Sequence, residues 1–400
     1  MNFYKNIAPI VLAGTLLFTA CKEKNKELAS HEVAEIFNPE IINPYSAKTK
    51  KLSDNYLSEK RAKIQEFYDK NWPNETLNGG FIVAKNGEII FEKYNGKANF
   101  KTGEEIKPNT ALHIASVSKV LTAAVVLKLV DREKLTLETT VQEILPSFPY
   151  EEITVKMLLN HRSGLPNYAY FADDRKIWDR SKMLKNQDIL DLMAKHRFNL
   201  YFLPDRKFGY CNTNYAILAL IIEKITGKSY PEVMQEMVFV PLDMKDTFVY
   251  DHERDKETAS QSYKGNKVLY ETNHLDDVYG DKNIYSTPRD LMKFDLATYS
   301  GKYLNEVLMS EVFKGYSYES KGTRNYGLGI RLLEWDTGEE LFYHNGWWHG
   351  NTSSYVKLKN DTVTMIALSN KFSYKPYKIL KLSPIFGKYP IKSNEGDSAD

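Results

Sequence analysis

From Ser58 to Lys70 the stretch SEKRAKIQEFYDK repeats its apolar positions at helical spacing, with Ile64, Phe67 and Tyr68 on one face. Gly79 to Tyr94 alternates instead, as two extended runs, GGFIVAK and EIIFEKY, joined at Asn86-Gly87, a strong hairpin signal. After a looped stretch to Thr110, the run VSKVLTAAVVLKLVDREKL that Ser116 opens is too continuously apolar for a surface helix, which predicts one buried in mid-domain. Helical patterns dominate from about 120 to 300. Two of them, NYAILALIIEKITG and STPRDLMKFDLATYSG, end near a Gly. Strand patterns return in ELFYHNG, NTSSYVKLKN and DTVTMIALSN, and no internal repeat is present.

Strands at both ends around a helical middle predict an α/β domain, an antiparallel sheet flanked by helices, with an inserted all-α domain. The expected cleft is the junction of the two, and the buried helix headed by Ser116 would start there.

The N-terminus follows another pattern. Lys5 precedes the apolar run Ile7 to Ala20, which is shorter than the roughly 20 residues a membrane span needs. Residues 1–20 therefore read as a signal peptide. The sequence Phe18-Thr19-Ala20-Cys21 resembles a bacterial lipoprotein signal, which implies a lipid anchor on Cys21. Phe18 stands where Leu is usual, so cleavage without lipidation is the competing reading. Residues 21–56, polar, Lys-rich and interrupted by Pro39 and Pro44, read as a tether. The folded domain is expected over 57–390, with 57–120 and 320–390 forming the α/β part and 121–319 the mainly helical part. An exported protein, periplasmic or at the cell surface and held to a membrane by lipid, follows from these segments.

Composition removes other classes. Of 400 residues 42% are hydrophobic, ample for a core, and 54 Lys and Arg balance 52 Asp and Glu to a net charge of +2. With no basic block, a nucleic-acid partner is excluded. The 27 Tyr and 19 Phe are first of all core material. If Cys21 carries lipid, Cys211 has no disulfide partner, and its place between Tyr210 and Asn212 reads as a structural thiol.

Serine needs an adjacent base to become a nucleophile. Ser116 and Lys119 are three apart on a helix, hence on one face, and burial together with the helix dipole disfavours a charged amine there. The Ser116 amide at the helix start doubles as an oxyanion donor. Spacing alone does not decide, because Ser354 and Lys357 repeat it within a strand pattern, where such positions face opposite ways. Tyr210 and Asn212, just before a helix, can respectively relay a proton and orient Lys119 or a substrate amide. In YHNGWWHG, His344 heads a strand-edge triplet with Gly346, where a substrate can approach the backbone, and the N–H of Trp347 is a second oxyanion donor.

Together these pieces resemble the serine β-lactamase and penicillin-recognising family, in its class C, D,D-peptidase and esterase branch. Ser116 and Lys119 match its S-x-x-K, Tyr210 and Asn212 its Y-x-N, and His344 to Gly346 its K-T-G strand motif in the H-x-G variant. LLNHRSGLP, PLDMKDTF, YSTPRDL and YGLGI add matches in order from about Gly79 to Asn370. The literal Lys101-Thr102-Gly103 precedes Ser116 and is expected to be a loop. Lys282 and Asn283 replace a usual Gly pair. His344 replaces the family's Lys, exchanging a fixed cation for a group charged only near or below pH 6.5, which argues against an efficient β-lactamase.

The resemblance implies a serine hydrolase working through an acyl-enzyme on an amide or ester carbonyl, D,D-carboxypeptidase-like or esterase-like. A small-molecule or peptide substrate is expected, peptidoglycan fragments among them, with no cofactor and no metal. A β-lactamase and a catalytically idle binding lipoprotein are the alternatives.

Overall fold

The computed structural model describes residues 41–44 and 50–392; the expected signal peptide and Cys21 lie outside the described residues. The first long helix, α1 (Asp54–Asn71), is capped by Ser53, whose side chain accepts the Tyr56 amide. The folded unit begins at Ile41, well before 57, and the buried Ile42 donates its amide to the Pro241 carbonyl.

In chain order the strands are β1 (Gly79–Lys85), β2 (Glu88–Asn95), β3 (Lys97–Asn99), β4 (Glu104–Glu105), β5 (Leu112–His113), β6 (Phe248–Val249), β7 (Ile284–Ser286), β8 (Arg324–Tyr326), β9 (Arg331–Glu334), β10 (Glu340–Trp348), β11 (Asn351–Leu358) and β12 (Val363–Ser369). Seven form one antiparallel sheet in the order β2-β1-β12-β11-β10-β9-β8. The β1–β2 hairpin turns at Asn86 (φ 55°) and Gly87 (φ 77°), both left-handed as this two-residue turn demands. Strand β1 lies inside the sheet between β2 and β12 and is buried from Gly79 to Ala84, which is why GGFIVA is apolar.

One face of the sheet is covered by α1, where Ile64, Tyr68 and Trp72 meet Phe81, Phe91 and Met365. Against the other packs helix α4 (Pro288–Ala297), touching β1 and β12. Between these in sequence come α2 (Ser118–Asp131) and α3 (Asn212–Thr226), which pack on each other. Eleven of the fourteen α2 residues are buried, as its unbroken apolar run predicts. Helix α3 ends at Gly227, whose φ of 68° terminates it.

Two features depart from the sequence reading. Because α4 packs on the main sheet, the helical insertion does not extend to 319. The region 121–319 is also not all-α: β6 and β7 join β5 in a three-stranded sheet ordered β5-β7-β6. Strands of two or three residues are too short to show alternation. Among the described residues no helix is long and apolar enough to cross a membrane.

Candidate active site

Ser116 lies in a single 3-10 turn, Ala115–Val117, immediately before α2 rather than inside it. Ala115 is forced to φ 48°, a left-handed conformation that costs a non-glycine residue about 1–2 kcal/mol. Two bonds hold it: the Ala115 amide donates to His113 Nδ1 at 3.0 Å, and the Ile114 amide donates to the Ile284 carbonyl at 2.9 Å. Burial pushes His113 down to about 4, so its ring is neutral. With Nδ1 accepting, Nε2 carries the hydrogen and donates to Asn283 Oδ1 at 3.0 Å. The turn lifts the Ser116 side chain into a partly open position.

Lys119, one turn on, is fully buried. Its Nζ lies 3.1 Å from Ser116 Oγ and donates to the Asp281 carbonyl at 2.8 Å. No carboxylate pairs with it among the described residues. Ser116 therefore has a lysine within hydrogen-bond reach whose remaining tether is an uncharged carbonyl.

Tyr210 precedes α3, its ring centre 5.0 Å from Lys119 Nζ and 4.4 Å from the His161 ring. Asn212 is the first residue of α3 and makes no hydrogen bond to Lys119; its buried Oδ1 has no hydrogen-bond partner among the described residues. Of the two roles expected for Asn212, orienting Lys119 is not what the structure contains.

The register of β10 and β11 pairs Gly346 with Ser353 and Asn345 with Ser354. A Cβ on Gly346 would stand 2.4 Å from Ser353 Oγ, 2.7 Å from the Ile114 carbonyl and 2.8 Å from the Ser116 amide nitrogen. Strand β10 thus passes the Ser116 backbone too closely for any side chain, placing Trp347 next along it. The Trp347 indole N–H is taken by the His349 carbonyl at 2.8 Å, so of the two N–H groups of Trp347 only the backbone amide remains a candidate donor. Its ring is 56% exposed, whereas Trp348 packs inward over Lys282 at 4.7 Å and donates to Asp276 Oδ1 at 2.7 Å.

His344 differs from expectation. It is 0% exposed, and burial, then Arg331 and Lys119, hold it well below its ordinary value. It is a neutral strut, with no charge to acquire near pH 6.5. The second S-x-x-K also resolves: Ser354 Oγ donates to Asn345 Oδ1 at 2.7 Å, while Lys357 pairs with Asp295 at 3.0 Å inside the core. Lys101-Thr102-Gly103 is an exposed turn between β3 and β4. Cys211 is buried and pushed up to about 11 by that burial, as a structural thiol should be.

Sequence reasoning did not single out Asp281, His161, Tyr326 or Arg331. Three of them sit in or beside stretches already recognisable, His161 in LLNHRSGLP and Tyr326 and Arg331 around YGLGI. Asp281 acts through its carbonyl, which no residue type reveals. A cavity of about 850 Å³ bordered by Glu104, Lys107, Thr247 and Arg254 contains none of the residues around Ser116.

A serine within hydrogen-bond reach of a buried lysine, set where an inner strand grazes its amide, is an arrangement that acyl-transferring serine hydrolases use. The chain matches the model of the Beta-lactamase family over residues 68–381 and belongs to that family. It is 31% identical to penicillin-binding protein 4* of Bacillus subtilis over 360 residues, covering 84% of this chain and 79% of that one. It is 30% identical to teichoic acid D-alanine hydrolase of Staphylococcus aureus over 274 residues, 63% of this chain and 66% of that one. The crystal structure of a penicillin binding protein from Bacillus halodurans superposes with a TM-score of 0.70 at 23% identity, over 80% of this chain and 98% of that one. The protein is a β-lactamase-related serine hydrolase acting on an amide or ester carbonyl.

Proposed function

We propose that this enzyme hydrolyses D-aminoacyl esters or amides at the cell envelope, through an acyl-enzyme on Ser116. The observation that carries the chemistry is the 3.1 Å contact between Lys119 Nζ and Ser116 Oγ. Lys119 takes the hydroxyl proton as Oγ attacks the carbonyl; the proton leaves with the departing alcohol or amine, through Tyr210. The amides of Ser116 and Trp347 receive the oxyanion, and the unpartnered Asn212 Oδ1 accepts an N–H from the substrate. Water then cleaves the ester bond to Ser116 by the reverse proton path.

The choice of substrate rests on His344. A D,D-carboxypeptidase or β-lactamase must hold a carboxylate beside the scissile bond. A buried neutral imidazole in place of the family's lysine supplies no charge for it. Substrates lacking that carboxylate fit better, and the likeness to a teichoic acid D-alanine hydrolase supports a D-alanyl ester. The N-terminal segment adds export and a lipid anchor on Cys21, to be tested by a mass shift lost in Cys21→Ala.

Steady-state hydrolysis of D-alanine methyl ester, D-alanine amide, a diacetyl-Lys-D-Ala-D-Ala peptide and nitrocefin decides among these. The ester and amide should turn over fastest. A peptide or nitrocefin rate above both would reverse the substrate assignment, and a flat panel with no covalent adduct would mark an idle binding protein.

A further inference from the structure

Two segments far apart in sequence meet beside the end of β10. Residues 263–270 read YKGNKVLY and residues 371–378 read KFSYKPYK, five lysines without one acid in a chain whose net charge is +2. The Phe372 amide donates to the Tyr263 carbonyl at 2.9 Å, and the Tyr263 amide donates to the Asn370 carbonyl at 2.8 Å. Residues 264–269 are all exposed. Burial, then the charges of Lys267 and Lys375, hold Lys371 below its ordinary value, so these three ammonium groups share one field. None of the five lysines pairs with a carboxylate among the described residues.

Rings lie among the cations. Trp347, which follows Gly346 on β10, is 6.1 Å from Phe372, and Phe372 is 5.0 Å from Tyr374, centre to centre. Tyr374 is 6.1 Å from Tyr377, whose hydroxyl donates to the Gly346 carbonyl at 3.0 Å. Trp347 and Tyr374 are both more than half exposed. A lane of rings edged by lysines thus leaves from the strand that passes the Ser116 amide.

We propose that this lane holds the alcohol side of the substrate, and that the substrate is a D-alanyl ester carried on a phosphodiester-linked polyol chain. Lysines meet phosphates as point charges, and exposed ring faces cover the apolar side of the units between them. The proposal rests on the ester reading above and adds what bears the ester. It also puts the substrate's negative charge outside the pocket, away from the strand where the neutral His344 has none to offer it. Exposed Val268 and Leu269 at the same edge would equally suit an anionic lipid surface. The lane's continuity with Ser116 favours the substrate.

The test compares D-alanyl-glycerol with the D-alanyl ester of a glycerol phosphate trimer. At low salt the wild type should show a KM about tenfold lower for the trimer ester, as three exposed lysine–phosphate pairs would supply, and the gap should close at high salt. The variant Lys267→Gln/Lys371→Gln/Lys375→Gln should lose the gap while turning over the neutral ester as the wild type does. Tyr374→Ala should lose about two- to threefold of it. A fluorescent, unesterified trimer should bind Ser116→Ala, and the three lysine changes made in that protein should release it. Equal KM values for the two esters, or a gap that the lysine variant keeps, would overturn the proposal. Equal KM values together with lysine-dependent binding to phosphatidylglycerol vesicles would overturn it in favour of a membrane surface. If neither ester is hydrolysed, the ester reading fails; trimer binding that needs the lysines would still uphold the lane as a site for a phosphate chain, and binding indifferent to them would overturn the lane as well.

Discussion

The Tyr326 hydroxyl lies 3.1 Å from Nε2 of His344, while Nδ1 of the same ring lies 2.8 Å from the Asn345 carbonyl. A carbonyl only accepts, so Nδ1 bears the hydrogen and Nε2 accepts from Tyr326; the ring is satisfied without charge. The residue that stands where the K-T-G motif has its lysine is therefore a hydrogen-bonded support for β10.

That finding predicts acid sensitivity. His113, His161 and His344 are each fully buried, and burial holds each below the ordinary histidine value, His113 at about 4. They are neutral when folded and take up protons on unfolding below pH 6.5. Their contribution is complete above that value and is lost as pH falls toward 4, at up to about 1.4 kcal/mol per pH unit for each. Thermal unfolding followed from pH 7.5 to 4.5 should show a falling midpoint, flattened in His113→Gln. A midpoint constant across that range would contradict the buried neutral assignment.

Lys357 and Ser354 separate structure from chemistry. Lys357 is lowered to about 8 by burial, with Asp295 opposing that shift, and Asp295 also accepts from Tyr355 at 2.5 Å. Lys357→Met leaves a buried carboxylate uncompensated and should cost about 3–5 kcal/mol of stability. Ser354→Ala should leave Ser116 labelling intact. Loss of labelling in Ser354→Ala with the fold preserved would reopen the second S-x-x-K.

Gly346 tests the strand's approach to Ser116. A methyl there meets Ser353, Ile114 and the Ser116 amide within 2.8 Å, so Gly346→Ala must push β10 away from the Ser116 amide. The rate should fall by about a hundred- to a thousandfold, as when an oxyanion donor is lost. Circular dichroism should report an unchanged fold; a near-normal rate would place the oxyanion elsewhere.

Much of this was readable from residue order. The hairpin at Asn86-Gly87, the buried helix after Ser116 and the three late strands carry their own periodicity, and each is present. The short strands β5 to β9 were not readable, because their pairing is decided by distant partners and not by local pattern. For the site, residue types marked Ser116, Lys119, Tyr210 and Asn212, and the fold brings Ser116, Lys119 and Tyr210 together. Burial was the missing quantity. It makes His344 a neutral support, and it assigns Lys119 to a backbone carbonyl that the sequence does not mark.

The central claim is that Ser116, served by Lys119, is the acylated nucleophile. Intact-mass analysis with peptide mapping after treatment with a fluorophosphonate tests it directly. The wild type should gain a single adduct on Ser116, Lys119→Met should react far more slowly, and Ser116→Ala should gain none. An adduct that persists in Ser116→Ala, or maps to any other residue, would contradict the account.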